Sequence, residues 1–258
     1  MAGSRVPGPL TEVYMQPSID DGTQPRVAMP GGGGVGSSSH AAVAPDARLQ
    51  AAAASAAAAT IDALGVLQDA RVQVRLAANI QRGPMAVVHG IIVHQTDSSS
   101  ASSTLESYKS KGANGAHFLI DKDGTVYQTA SLLQRTWHVG KLRARCLLQS
   151  TCSAAEVKAY KKFDPAGMNK LESAKAVPDR YPSNEDSIGI ELVGQALTDP
   201  AKPTAEPVYK TVTEAQNASL KWLVPQLALL LSMPLTEVFR HPDVSWKNKT
   251  EASTAKWQ

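Results

Sequence analysis

Between Phe239 and Glu251 the chain reads Phe-Arg-His-Pro-Asp-Val-Ser-Trp-Lys-Asn-Lys-Thr-Glu. That stretch offers an imidazole (His241), two carboxylates (Asp243 and Glu251) and a lysine (Lys249), and it is too polar for a core. A hydrolytic metal site requires neutral nitrogen and anionic oxygen ligands with one position left open for water. The segment supplies two such ligands and a cation beside them. At least one more ligand has to come from elsewhere.

The elements that would position these groups follow from the apolar pattern. Met85 to Val93 is a short, β-branched apolar run, which predicts a buried strand ending at His94. A histidine at the junction of a core strand and a loop is both fixed and accessible. His89, at an odd offset from His94, is expected to be structural. Leu105 to Lys111 predicts a short helix. Ala116-His117-Phe118-Leu119-Ile120 and Thr125-Val126-Tyr127-Gln128 predict a hairpin around an Asp/Gly turn. Trp137-His138-Val139-Gly140 follows in a loop, and Lys141 to Ser183 reads as a charged, irregular insertion. Ser187 to Gly194 predicts another strand. Its Glu191 is a carboxylate within an apolar run, costly to bury unless paired or employed. Thr213 with Gln216 forms a capping-box signature for a helix reaching about Met233. The order of elements predicts an α/β fold with a mixed central β-sheet flanked by helices.

Residues 1–45 are rich in Gly, Pro and Ser and read as a disordered leader. Residues 46–82 begin alanine-rich and carry Ile61, Leu64 and Leu67 at three-residue steps, which predicts a helical extension. Residues 83–258 remain for the catalytic domain. A formal charge of +3 without a dense basic block argues against nucleic acid as a partner. The alanine run Ala51–Ala59 is too weakly hydrophobic for a membrane span, and no apolar run follows the early arginine as in a secretory signal. Synthesis as a soluble cytoplasmic chain is therefore expected, with any export by another route. Cys146 and Cys152 do not suit a zinc ribbon; they form a disulfide in an oxidising compartment or stay thiols in a reducing one.

Five motifs, in this order, resemble the zinc-dependent N-acetylmuramoyl-L-alanine amidases and peptidoglycan-recognition proteins. They are Ile91-Ile92-Val93-His94, Ala116-His117-Phe118-Leu119-Ile120, Trp137-His138-Val139-Gly140, Ser187-Ile188-Gly189-Ile190-Glu191, and His241 through Glu251. The resemblance covers Met85 to Glu251 and is greatest to the cell-wall-recycling type. It implies one catalytic Zn2+ held by His94, His241 and a third ligand. Relatives commonly have Asp or Cys ten positions after the second histidine, where this chain has Glu251. Asp243 is the rival, although it matches an aspartate that is not a ligand in the recycling enzymes. By the same resemblance Glu191 matches the general base and Lys249 the oxyanion-stabilising lysine. His138 and Trp137 match the substrate side of the cleft. His117 is either a further substrate contact or a packed histidine behind the site.

The substrate implied is peptidoglycan, cut between N-acetylmuramic acid and the L-alanine of the stem peptide. A non-catalytic wall-binding module, a cytoplasmic muropeptide-recycling enzyme and a phage endolysin are the alternatives. Ser4-Arg5-Val6-Pro7-Gly8-Pro9 and Asp20-Asp21-Gly22-Thr23 resemble leaders of amidases exported by type VI secretion. That resemblance implies an antibacterial effector acting at the periplasmic wall of a target cell. Its partners would be a secretion-apparatus component and a cognate immunity protein.

Overall fold

The computed structural model describes residues 59–258, which belong to one compact unit. The leader and the alanine run up to residue 58 lie outside the described residues. Chain order begins with β1 (Thr60–Ile61), β2 (Leu67–Gln68), β3 (Val72–Val74), β4 (Gln81–Pro84) and β5 (Gly90–Gln95). Helix α1 (Ala101–Ser107) leads to the hairpin β6 (Phe118–Ile120) and β7 (Val126–Gln128), and β8 (Gln134–Thr136) pairs back on β4. Three helices follow: α2 (Arg145–Gln149), α3 (Ala154–Tyr160) and α4 (Pro165–Ser173). Next come β9 (Ser187–Leu192), the ribbon β10 (Ala196–Leu197) and β11 (Val208–Tyr209), and α5 (Glu214–Leu230). Strand β12 (Val238–Arg240) runs directly into the single turn α6 (His241–Val244).

Six strands form the central sheet in the order β12-β5-β9-β6-β7-β3. All neighbours are parallel except the β6–β7 hairpin, so the sheet is mixed, as the element order predicted. Strand periodicity divides its two faces. Ile91, Val93, Ile188, Ile190 and Leu192 pack with Leu220, Leu223, Val224 and Leu227 of α5. Ile92 packs on the opposite face with Val139, Leu142, Tyr181 and Val244. His94 shares the parity of Ile92, and Glu191 the parity of Gly189, so both lie away from α5. The capping box is present: Thr213 Oγ1 accepts from Gln216 N–H at 3.1 Å, and Gln216 Oε1 accepts from Thr213 N–H at 3.1 Å.

Two sequence expectations are corrected. Within residues 59–82 the predicted helical extension is instead short strands and a 3-10 turn at Ala78–Ile80. Strand β3 falls where Val72, Val74 and Leu76 alternate with polar residues, a pattern that allows a short strand. Asp62 Oδ1 accepts from the N–H groups of Leu64 and Val66, and Gly65 takes φ +75°, which turns the chain between β1 and β2. Leu64 is 74% exposed, so Ile61, Leu64 and Leu67 do not share a buried face. Because β3 is an edge strand paired to β7, the described fold begins well before residue 83. The Lys141–Ser183 insertion is helical rather than irregular. A capping box at Ser153–Glu156 opens α3, and Asp164 caps α4 with Pro165 in its first turn. Buried Glu172 ties this region together through Tyr160 Oη at 2.5 Å and Lys175 Nζ at 2.7 Å. Cys146 and Cys152 form a disulfide, which resolves the alternatives left open by their spacing.

No helix among the described residues is long and apolar enough to cross a membrane. Leu223 sits fully buried between α5 and the sheet. Leu223→Ala is expected to cost about 2–5 kcal/mol of unfolding free energy. Urea titration checks this: a lower midpoint at unchanged slope supports the α5–sheet core, and an unchanged midpoint contradicts it.

Candidate active site

The polar face of the sheet gathers the chemistry. Parallel pairing of β12 with β5 sets Arg240 beside Val93, so His241 and His94 follow as neighbours, their ring centroids 4.2 Å apart. Glu251 returns to them from the chain terminus. Its Oε1 lies 2.9 Å from His241 Nδ1 and 3.5 Å from His94 Nδ1, and all three side chains are buried. One ligand atom from each falls within 4.8 Å of the others.

The outer hydrogen bonds assign the protons. His241 Nε2 lies 2.7 Å from the Val139 carbonyl, which only accepts, so this nitrogen carries the proton. His138 Nε2 approaches the Ser187 carbonyl at 3.3 Å, which leaves His138 Nδ1 to accept from His94 Nε2 at 2.9 Å. Both His94 and His241 thus direct Nδ1 at Glu251. Burial, reinforced by the neighbouring His241, moves His94 down to about 4, so it is neutral at physiological pH. With both rings in their Nε2-protonated neutral form, three lone-pair atoms converge in a buried space. A divalent cation would satisfy all three, and the donor set of two neutral imidazoles and a carboxylate fits one.

Glu191 is the direct cross-strand partner of His94. Burial, with the negative charge of Glu251, raises its carboxyl to about 8, and its Oε2 has no hydrogen-bond partner among the described residues. His94, His138, Glu191, His241 and Glu251 open onto a cavity of about 1000 Å³. Ser98, Ser99, Ser103 and Ser107 line it as well, together with Trp137, Tyr209 and Lys247.

The profile of one protein family, described as N-acetylmuramoyl-L-alanine amidase, matches residues 84–254. The chain belongs to that family. It is an N-acetylmuramoyl-L-alanine amidase, and the bond it hydrolyses joins N-acetylmuramic acid to L-alanine in peptidoglycan. No relative was found among curated proteins. Similar solved structures include the endolysin N-acetylmuramoyl-L-alanine amidase LysCS from Clostridium intestinale, 16% identical, covering 68% of this chain and 84% of that one at a TM-score of 0.38. The catalytic domain of XlyA is 19% identical over 68% of this chain and 87% of that one, at a TM-score of 0.41. AmpDh3 from Pseudomonas aeruginosa is 20% identical over 65% of this chain and 56% of that one, at 0.40. The family match carries the assignment.

Within the amidase, His94, His241 and Glu251 come together while Asp243 does not. Asp243 is exposed, and its Oδ2 accepts from Arg240 N–H at 3.2 Å. Trp137 stands 52% exposed at the cavity rim, with the Arg82 guanidinium 4.8 Å from its ring centre. His138 lines the cavity and also braces His94. His117 is corrected as a substrate contact: it is fully buried and absent from the cavity wall. Its Nδ1 accepts from Gly189 N–H at 3.0 Å and its Nε2 donates to the Gln134 carbonyl at 2.8 Å, so the ring crosslinks backbone. His89 is structural as expected, bonded to Asp186 at 2.9 Å.

Lys249 is exposed and does not line the cavity; Lys247 does, and its charge acts on both His94 and Glu191. Sequence reasoning passed over Lys247, although it lay inside the stretch singled out. It also passed over Tyr209, whose surroundings hold no motif.

Glu191 generates a prediction for the metal-free amidase. Its folded carboxyl keeps a proton that the unfolded chain loses near 4.5, so stability falls as pH rises from 4.5 toward about 8. A glutamine cannot ionise. Glu191→Gln should therefore raise the melting temperature in chelator at about pH 8 and change it much less at about pH 5. Melts of both proteins across this range check it, and a gap that does not change with pH would count against the buried, partnerless carboxyl.

Proposed function

We propose that the amidase is zinc-dependent, with His94, His241 and Glu251 as the ligands. The observation behind this reading is the buried convergence of His94 Nδ1, His241 Nδ1 and a Glu251 oxygen, with both histidine Nε2 protons already committed to other groups. Held there, zinc supplies Lewis acidity, polarising a carbonyl and bringing the pKa of a water to about 7.

The chain's own residues do the rest. His138 and the Val139 carbonyl keep the two ligand imidazoles in one tautomer and one orientation. Glu191, ionised once a cation's charge offsets that of Glu251, takes a proton from the attacking water as the water oxygen bonds to the carbonyl carbon. It then delivers that proton to the alanine nitrogen as the carbon–nitrogen bond breaks. Its free Oε2 is open to that exchange. Lys247, on the cavity wall, lends positive charge where the carbonyl oxygen becomes negative. Lys249 remains the family-matched alternative for that role. Trp137 offers an exposed aromatic face at the rim for the glycan.

Digestion of purified sacculi followed by mass spectrometry of the soluble products tests the reading. Stem peptides beginning with L-alanine should appear, vanish with chelator and return on adding zinc. Glu251→Ala should lose both bound zinc and product, whereas Asp243→Ala should keep both. Product formation that survives removal of all metal would sink it.

We further propose that the amidase acts as an antibacterial effector on the periplasmic wall of a target cell, with an immunity protein and a secretion-apparatus component as partners. The Cys146–Cys152 disulfide supports an oxidising working compartment. Expression directed to the periplasm of a test bacterium should cause lysis, followed by optical density, while cytoplasmic expression should be harmless. Lysis from the cytoplasm alone would refute this setting.

A further inference from the structure

We propose that Tyr209 is a further catalytic residue of the amidase. From the β10–β11 side of the cavity, its phenol O–H donates a hydrogen bond to the carbonyl oxygen of the scissile amide as that oxygen becomes negative. The inference rests on the amide hydrolysis read above, not on which metal the site holds.

Tyr209 is half-buried on the cavity wall with Glu191 and Glu251, and its hydroxyl makes no hydrogen bond to any described residue. Tyr108 and Tyr160 differ: the Tyr108 hydroxyl accepts from Ala116 N–H, and the Tyr160 hydroxyl donates to Glu172. The Tyr209 donor is therefore available to a group that enters the cavity. The backbone around it, by contrast, is heavily tied. Tyr209 N–H donates to Thr250 Oγ1 at 3.0 Å, and Asn248 Nδ2 donates to the Pro207 carbonyl at 2.5 Å. Both tethers come from the loop that carries Glu251.

A second tie reaches the first ligand strand. Gln95, buried and adjacent to His94, donates through Nε2 to the Lys210 carbonyl at 2.7 Å and accepts through Oε1 from Ala252 N–H at 3.0 Å. One carboxamide therefore links the neighbour of Tyr209 to the neighbour of Glu251 and to His94 itself. Gly194 makes room for it: a Cβ there would meet Gln95 Nε2 at 2.3 Å. The backbone that carries the phenol is thereby held in register with the ligand residues, as a pre-organised donor requires. Burial, then the carboxylates of Glu251, Asp97 and Glu191, push the phenol above its usual range, so Tyr209 keeps its proton at any working pH. Among those carboxylates a neutral donor can approach an oxygen that is gaining negative charge.

The test compares wild type and Tyr209→Phe, both loaded with zinc, on N-acetylmuramoyl-L-alanyl-D-isoglutamine. The substitution removes only the hydroxyl and leaves the Tyr209 N–H tether in place. The expected result is a fall in kcat of roughly tenfold to a hundredfold with KM nearly unchanged. Zinc content and melting temperature should stay at wild-type values. Equal kcat overturns the proposal. So does a fall in kcat that tracks lost zinc or a lower melting temperature, because Tyr209 would then be structural. Wild-type turnover that resists chelation would sink the zinc reading, whereas the Tyr209→Phe ratio reports on the hydroxyl alone.

Discussion

The site depends on one constraint, the parallel register of β12 on β5. Arg240 beside Val93 makes the next residues, His241 and His94, arrive side by side with their Nδ1 atoms turned toward Glu251. A one-residue slip of β5 would send His94 to the α5 face and bring an apolar side chain to the site. The register is secured by Ile91, Val93 and Val238 packing into the same core as Leu223 and Leu227. The apolar face of the sheet thus fixes the geometry of its polar face. Stability and chemistry are two sides of the same six strands.

Burying so many polar groups is tolerable because nearly all of them are satisfied. His117 bonds backbone on both nitrogens, and Gln128 bonds Leu67 N–H and the Gly65 and Ala130 carbonyls. Asp186 meets both Arg180 and His89. An unmet buried donor or acceptor costs about 1–3 kcal/mol, so the exceptions carry meaning. Glu191 Oε2 is such an exception and sits in the cavity beside the proposed ligands. The two carboxylates of the site are separated by environment. Glu251 has imidazoles against it, while Glu191, set between His94 and Leu119 on the neighbouring strands, keeps a carboxyl oxygen without a hydrogen bond. That division suits one as a ligand and the other as a proton carrier.

Much of this was legible because it followed from local pattern. His94 closes an apolar β-branched run, Glu191 interrupts another, and Thr213 with Gln216 announces α5; each signal involves near neighbours. Ser153 with Glu156 carries the same capping signature, but the surrounding charge obscured the helices of the insertion. The three-residue spacing of Ile61, Leu64 and Leu67 misled because Asp62 and Gly65 turn the chain between them, and a long-range bond from Leu67 N–H to Gln128 Oε1 fixes the outcome. Lys247 and Lys249 could not be ranked from sequence, since an irregular loop imposes no periodicity on the direction of its side chains. Tyr209 depends on Gln95 and Thr250, distant residues that no local pattern connects to it.

Glu251, the proposed third ligand, is held by a distinctive turn. Its carboxylate reaches both imidazoles, with Oε1 2.9 Å from His241 Nδ1 and 3.5 Å from His94 Nδ1. The residue that follows, Ala252, lies in the left-handed region at φ +52°. For alanine this costs about 1–2 kcal/mol. Two hydrogen bonds hold it there: Ala252 N–H donates to Gln95 Oε1, and Arg240 Nε donates to the Ala252 carbonyl. Both partners sit next to a histidine of the site, Gln95 beside His94 and Arg240 beside His241. The turn that follows Glu251 is therefore clamped by the same two strands that present the imidazoles, so all three groups keep a common frame. The strain at Ala252 is thus offset by bonds from both strands, which fixes the loop that carries Glu251.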